Sequence, residues 1–265
     1  MNNINGVSAM NIKGKTVLIT GASAGIGAAC AEVFGEAGVR LLLIARRDKQ
    51  LASVSESVFK RFGAEIYNMN FDIRKHDEVE QFLGNLPERW KEIDILINNA
   101  GLARGMEKIQ DGDNNNWDEM IDTNIKGLLY VSRAILPKMI ERGTGHVFNI
   151  GSLAGHEVYP AGNIYCATKH AVKALTKGMI IDLIGTGVRA TNIDPGLVET
   201  EFSEVRFRGD KVRAKKIYEG YKPLTGRDIA EIILFAATRP EHVLIQDLLV
   251  TPTAQASALI IDKKQ

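Results

Sequence analysis

Thr16-Val-Leu-Ile-Thr20-Gly21-Ala-Ser-Ala-Gly25-Ile-Gly27 (TVLITGASAGIG) sets the reading of the whole chain. The first five residues form a short apolar, β-rich run, and the alanine-rich pattern over 28–37, closed by Gly38, is helical. The segment therefore reads strand, tight turn, helix. Gly21, Gly25 and Gly27 let the backbone turn sharply and come close to a pyrophosphate, which the free N–H groups of the helix N-terminus then stabilise. Close packing alone is the competing explanation for a glycine-rich turn. Its place at the first strand–helix junction favours dinucleotide binding.

Working outward, 39–45 (VRLLLIA) is a second buried strand, followed by a helix over about 48–62 and a strand over 65–71. The alternation continues with a strand at 93–98 (IDILIN), a helix over about 117–142 and a strand at 146–150. A helix over about 163–185 and a strand at 188–193 complete it. Strands that alternate with helices and lack polar alternation belong to a parallel sheet buried on both faces, with right-handed crossovers. The expected fold is α/β, a Rossmann-type doubly wound parallel sheet in a single domain. After Pro195-Gly196 a charged segment over 199–221 reads either as a mobile lid or as a solvated helical pair. A helix at 226–237 and a last strand near 247–251 follow. No repeat, low-complexity tract or linker divides the chain, so one domain over 12–265 is expected after a loose arm at 1–11.

With 45% hydrophobic and 25% charged residues, the 265-residue chain can bury a sizeable core. Lys and Arg number 33 against 32 Asp and Glu, a net charge of +1 that provides no field to attract nucleic acid or an anionic membrane. The expected partner is a small-molecule substrate. Cys30 and Cys166 lie in helical stretches without metal-ligand spacing and read as reduced, buried residues, which points to the cytoplasm. No signal-peptide pattern or membrane-length apolar run is present in the sequence.

At the end of the second strand an NAD enzyme usually carries an acid for the ribose 2′-hydroxyl. Here Ala45-Arg46-Arg47 offers two guanidinium groups at a helix start, where cations oppose the helix dipole unless an anion is bound. The 2′-phosphate of NADP is the economical explanation. Asp72, just past the third strand, is placed to reach the adenine amino group or to act as a helix N-cap.

These motifs resemble the short-chain dehydrogenase/reductase family from Thr20 to about Thr253. The glycine turn is similar to that family's cofactor loop, Asn98-Asn99-Ala100-Gly101 to its post-strand motif, and Tyr165-Cys-Ala-Thr-Lys169 to its Tyr-x-x-x-Lys signature. Ser152, thirteen residues before Tyr165, matches the catalytic serine, Asn124 the helix asparagine, and Pro195-Gly196 the post-strand turn. The resemblance implies a catalytic set of Tyr165, Lys169, Ser152 and Asn124. It also implies that Ser23, Ile26, Ile73, Asn99, Val198 and Thr200 contact the cofactor beside the glycines, the arginine pair, Asp72, Pro195, Gly196, Tyr165 and Lys169. Tyr165 and Lys169 are four apart and share a helix face, so an ammonium near the phenol is expected to favour the phenolate. By the family's mechanism Lys169 also bonds the nicotinamide ribose, Ser152 binds the reacting oxygen, and Asn124 holds water in a proton relay.

A nearer resemblance is to the family's NADP-dependent 3-hydroxy acid dehydrogenases, which oxidise serine, allo-threonine and related acids. The stretches that carry it are 86–90 (LPERW), 98–102, 105–107, 120–124, 195–198 and, least generic, 200–210 (TEFSEVRFRGD). A small anionic acid needs a cation near the nicotinamide, and Arg206 is the first candidate, ahead of Arg104 and Arg208. Leu153 and the His156-Glu157 pair depart from the smaller, less charged residues expected in that branch. Another ketone, a sugar or a 3-oxoacyl thioester is the alternative substrate, and a cofactor-sensing regulatory protein the alternative class. The family also implies a homotetramer built through the two long helices.

Overall fold

The structure is a computed structural model that describes residues 9–263. Residues 1–8 of the expected arm lie outside the described residues. Its remainder is docked at Met10, whose N–H donates to the Thr238 carbonyl at 2.8 Å.

In chain order come β1 (Thr16–Thr20), α1 (Gly25–Glu36), β2 (Arg40–Ala45), α2 (Asp48–Phe62), β3 (Ile66–Asn70), α3 (His76–Gly84) and β4 (Ile95–Asn98). There follow α4 (Asn114–Ile121), a π-helical turn (Asp122–Gly127), α5 (Leu128–Arg142), β5 (Gly145–Ile150), α6 (Asn163–Asp182), β6 (Val188–Pro195) and β7 (Val198–Glu199). Last are α7 (Phe202–Arg206), α8 (Lys211–Lys216), β8 (Leu224–Thr225), α9 (Gly226–Ala237) and β9 (Asp247–Val250). Seven strands form one parallel sheet in the order β3-β2-β1-β4-β5-β6-β9, the doubly wound arrangement expected. The order reverses between β1 and β4, and ligands of such sheets bind in the crevice at that point, outside the carboxyl ends of the strands.

Both faces of the sheet are buried because successive strand side chains serve different cores. Val17 and Ile19 of β1 pack with Phe34, Leu51 and Ile233 from α1, α2 and α9, whereas Leu18 packs with Val79, Val131 and Ile135 from α3 and α5.

Two local features differ from the sequence expectation. The short helix α3 was not anticipated. The helix expected over 117–142 starts earlier, at Asn114, and contains the π turn. The charged segment over 199–221 is a pair of short helices, one of its two sequence readings, and it faces the crevice through half-buried residues such as Phe202 and Arg206.

Candidate active site

Gly21 (φ +67°) and Gly25 (φ +56°) occupy the left-handed region that favours glycine. Gly27 is helical but has no room for a side chain, because a Cβ there would sit 2.4 Å from the Gly21 carbonyl oxygen and 2.5 Å from Asn99 Nδ2. Asn99 locks this turn by donating to the carbonyls of Thr20 (2.9 Å) and Gly21 (3.2 Å), while the N–H groups of Asn99 and Ala100 both donate to Thr20 Oγ1 at 3.0 Å. The post-strand motif is thus a clamp on the glycine turn. The result is a bare-backbone cradle at the start of α1 that fits a dinucleotide pyrophosphate.

The cradle opens into a cleft of about 1270 Å³, beyond the roughly 300–1,000 Å³ of a typical small-molecule pocket and large enough for a dinucleotide with a small substrate. Every cofactor contact expected from the sequence lines this cleft except Gly27, which lies beneath it.

Arg46 and Arg47 stand at the end of β2 with side chains nearly half exposed. Arg47 donates to Ser23 Oγ (3.2 and 3.3 Å) and pairs with Glu201 at 2.8 Å, and Arg46 lies 3.9 Å from Asp72 and 3.8 Å from Glu119. Asp72 is not an N-cap, because α3 begins four residues later behind Lys75. It instead accepts from the Arg74 backbone N–H (3.1 Å) and guanidinium (2.6–3.0 Å). Burial opposes its ionisation, but the Arg74 hydrogen bonds and charge, with Arg46, hold its carboxyl below the usual range.

Across the cleft, Ser152 follows β5, and Tyr165 and Lys169 lie one turn apart on α6. Lys169 Nζ donates to the Ile150 carbonyl at 2.7 Å and lies 5.9 Å from the centre of the Tyr165 ring. Burial pushes the Lys169 ammonium down to about 8, with Asp194 keeping it from falling further. The expected lowering of the phenol by Lys169 is not what this arrangement produces. Burial, reinforced by Tyr159, raises Tyr165 well above the ordinary phenol range, and the opposing influences are the Ser152 hydroxyl and Arg206. Asn124 sits in the π turn, accepts from the Leu102 N–H (2.9 Å) and donates to the Leu102 carbonyl (2.9 Å) and Thr168 Oγ1 (3.0 Å). Both ends of its side-chain amide therefore brace the loop after β4 against α6.

The three arginine candidates separate by their partners. Arg104 is neutralised by a two-pronged pair with Glu119 (2.6 and 3.0 Å), and Arg208 donates to Asn116 at 2.6 Å. Arg206 on α7 donates to the Gly105 carbonyl (3.0 Å) and the Tyr159 hydroxyl (2.9 Å). Its guanidinium carbon lies 5.8 Å from the Tyr165 ring centre, and among the described residues no carboxylate lies within ion-pair distance of it. Tyr159 and Glu119, which sort these arginines, carried no signal in the sequence because each meets its partner from a distant segment.

The family model for short chain dehydrogenases matches residues 15–211. A relative from Schizosaccharomyces pombe described as an NADP-dependent 3-hydroxy acid dehydrogenase is 42% identical over 255 residues, covering 96% of this chain and 98% of its own. Sulfoacetaldehyde reductase 2 of Chromohalobacter salexigens is 42% identical over 249 residues, covering 93% and 98%. Among solved structures, a closed serine dehydrogenase complexed with NADP+ superposes with a TM-score of 0.88 at 42% identity, covering 94% of this chain and all of that one. The match extends through the glycine turn, the Tyr165–Lys169 helix and the first helix of the charged pair, and the chain accordingly belongs to the short chain dehydrogenase family.

Proposed function

We propose that the chain is an NADP-dependent dehydrogenase acting on a small 3-hydroxy acid such as serine, allo-threonine or 3-hydroxyisobutyrate. Arg206 carries the substrate reading: a guanidinium without a carboxylate partner, 5.8 Å from the Tyr165 ring, suits a substrate carboxylate held beside the proton-transfer group. The relatives' descriptions agree with it.

When bound, NADP takes up or supplies the hydride. Tyr165 takes the hydroxyl proton in oxidation and returns it in reduction. Ser152 donates a hydrogen bond to the reacting oxygen, and Lys169 holds positive charge at the base of the site. Asn124 fixes the loop at Leu102, and Arg46 and Arg47 bind the 2′-phosphate. The segment over 199–221 serves as a lid that carries Arg206 to the substrate. A sulfonate is the second reading, since a guanidinium fork accepts it equally and one relative is described as a sulfoacetaldehyde reductase.

We further assign a homotetramer built through the α4–α5 and α6 helices, which expose Leu129, Ile140 and Ile181, with Ile184 exposed just past the end of α6. A cytoplasmic setting suits the two buried, unpaired cysteines.

The test is NADP+ reduction with L-serine, L-allo-threonine, 3-hydroxypropionate and 3-hydroxyisobutyrate, with NAD+ and Arg206→Leu as comparisons. NADP+-dependent turnover whose KM rises at least about tenfold in Arg206→Leu is expected. Silence on all four acids, with NADPH consumed on sulfoacetaldehyde, ketones or 3-oxoacyl thioesters, rejects the hydroxy-acid assignment. Light scattering on the purified protein checks the tetramer.

A further inference from the structure

We propose that Asp194, oriented by His156, is a positioning residue for the reaction: it fixes Ser152 at the rim of the site and supplies the buried counter-charge of Lys169. The inference rests on the reading that Ser152 and Lys169 take part in the chemistry.

Asp194 lies near the end of β6 and is 0% exposed, and a carboxylate withdrawn this far from water needs donors around it. It has three. Oδ1 accepts from the Ser152 N–H at 2.8 Å, and Oδ2 accepts from His156 Nε2 and Asn192 Nδ2, each at 2.5 Å. The chain makes room for it, since a Cβ on Gly151 would fall 1.9 Å from Oδ1. The bare backbone at Gly151 lets the end of β5 close over the carboxylate and turn Ser152 toward the cleft. Ile150, which accepts from Lys169, lies two residues before Ser152, so one carboxylate braces the segment that engages both groups.

His156 is held from its far side. Lys173 Nζ lies against the ring, 2.7 Å from His156 Nδ1 and 3.0 Å from Nε2, and 3.1 Å from Asp247 Oδ2. Asp194 as a carboxylate can only accept, which assigns the proton of this contact to His156 Nε2. His156, Asp194 and Asp247 have ligand atoms within 4.8 Å of one another, a spacing that suits a metal ion. Lys173 occupies that neighbourhood with a cation of the chain's own. Tyr165, Lys169 and Lys173 follow at successive four-residue steps along one face of α6, so the same stripe serves the reaction and its support.

The charged and titratable groups around Asp194 are His156 from the segment after β5, Lys169 and Lys173 from α6, and Asp247 from β9, with Tyr165 beyond Lys169. Burial raises the Asp194 carboxyl above its usual range, the His156 hydrogen bond draws it back, and Asp247 raises it again. Lys169 keeps part of its proton affinity through Asp194. Removing the Asp194 charge therefore lowers Lys169 further.

The full-length protein is compared with His156→Leu, His156→Gln, Asp194→Asn and Ser152→Ala on the substrate that wild type turns over fastest among the acids and ketones above. Steady-state kinetics across pH are combined with NADPH fluorescence titration and hydrogen exchange of the peptide over 150–158 in cofactor-free protein. His156→Leu is expected to lower kcat about tenfold, with KM and the NADPH Kd within about twofold and exchange in the peptide faster. His156→Gln, which keeps a donor at the Nε2 position, is expected to recover most of kcat. In Asp194→Asn the alkaline limb of kcat/KM is expected to move to lower pH by about one unit.

The proposal is overturned if His156→Leu keeps wild-type kcat whatever its melting temperature. It is also overturned if kcat and NADPH binding fall together without rescue by Gln. Should Asp194→Asn fail to fold, the His156 pair still decides. Full activity in Ser152→Ala refutes instead the underlying reading of the site.

Discussion

Gly27→Ala separates the two explanations for the glycine turn, because both predict a loss of stability and only dinucleotide binding predicts a loss of cofactor affinity. Gly27 is inside α1 with helical backbone, and at an unconstrained interior helix position this change stabilises a protein by about 1 kcal/mol. Here the added Cβ lands 2.4 Å from the Gly21 carbonyl oxygen and 2.5 Å from Asn99 Nδ2, closer than such atoms can approach. Neither neighbour can swing away. The first is backbone, and the second is fixed by hydrogen bonds to Thr20 and Gly21. Overpacking of this kind costs about 1–3 kcal/mol, which exceeds the helix gain over most of its range. A net loss near 1 kcal/mol lowers Tm by about 2–4 °C in a domain of this size. The displaced atoms shape the cradle, so NADPH affinity falls more than stability, by about 10- to 100-fold at about 1.4 kcal/mol per decade. Calorimetry and NADPH fluorescence titration read the two quantities. A lower Tm with an NADPH Kd within twofold of wild type would show that the turn serves close packing alone, and a higher Tm would refute the steric argument itself.

Three further outcomes are expected. Arg46→Ala and Arg47→Ala each raise the NADPH Kd about tenfold and leave the NADH Kd nearly unchanged, as loss of a charge-assisted hydrogen bond to a phosphate requires; equal effects on both cofactors would remove the 2′-phosphate assignment. Tyr165→Phe lowers kcat by about 10²- to 10⁴-fold while NADPH still binds in a fluorescence titration, and retention of wild-type kcat would exclude Tyr165 as the proton-transfer group. Lys169 is an ammonium below about pH 8 and loses its charge as pH rises through that value, so kcat/KM declines on the alkaline side from about pH 8; a profile flat to pH 9.5 contradicts the role given to its charge.

Elements whose identity lies in adjacent residues were legible in the sequence. β1, which leads into the glycine turn, and β2, which pairs with it, are mostly apolar runs, as a sheet covered on two faces demands, and the turn itself is written in three glycines. Tyr165 and Lys169 were legible because four residues is one helical step. What the sequence concealed was contact between distant segments and small changes of helical period. Arg206 meets Tyr159 across 47 positions, Arg104 meets Glu119 across 15, and His156 meets Asp194 across 38. Nothing in an arginine codon neighbourhood tells which guanidinium finds a carboxylate of its own. The π turn at Asn124 escaped because one wider turn barely shifts an apolar stripe read over 26 residues, from 117 to 142. The same blindness led to the expectation that Lys169 favours the Tyr165 phenolate, when burial of the ring raises the phenol.

The ion pair between Arg47 and Glu201 spans the cleft from the end of β2 to the start of the charged helical pair. An anion that recruits Arg47 must compete with Glu201, so phosphate affinity and the position of the segment bearing Glu201 are thermodynamically linked. Reciprocity then requires that whatever draws Glu201 away from Arg47 tighten phosphate binding by the same factor. The cofactor's ribose end and the substrate-facing helices thereby share one free-energy balance, and adjusting either end retunes the other.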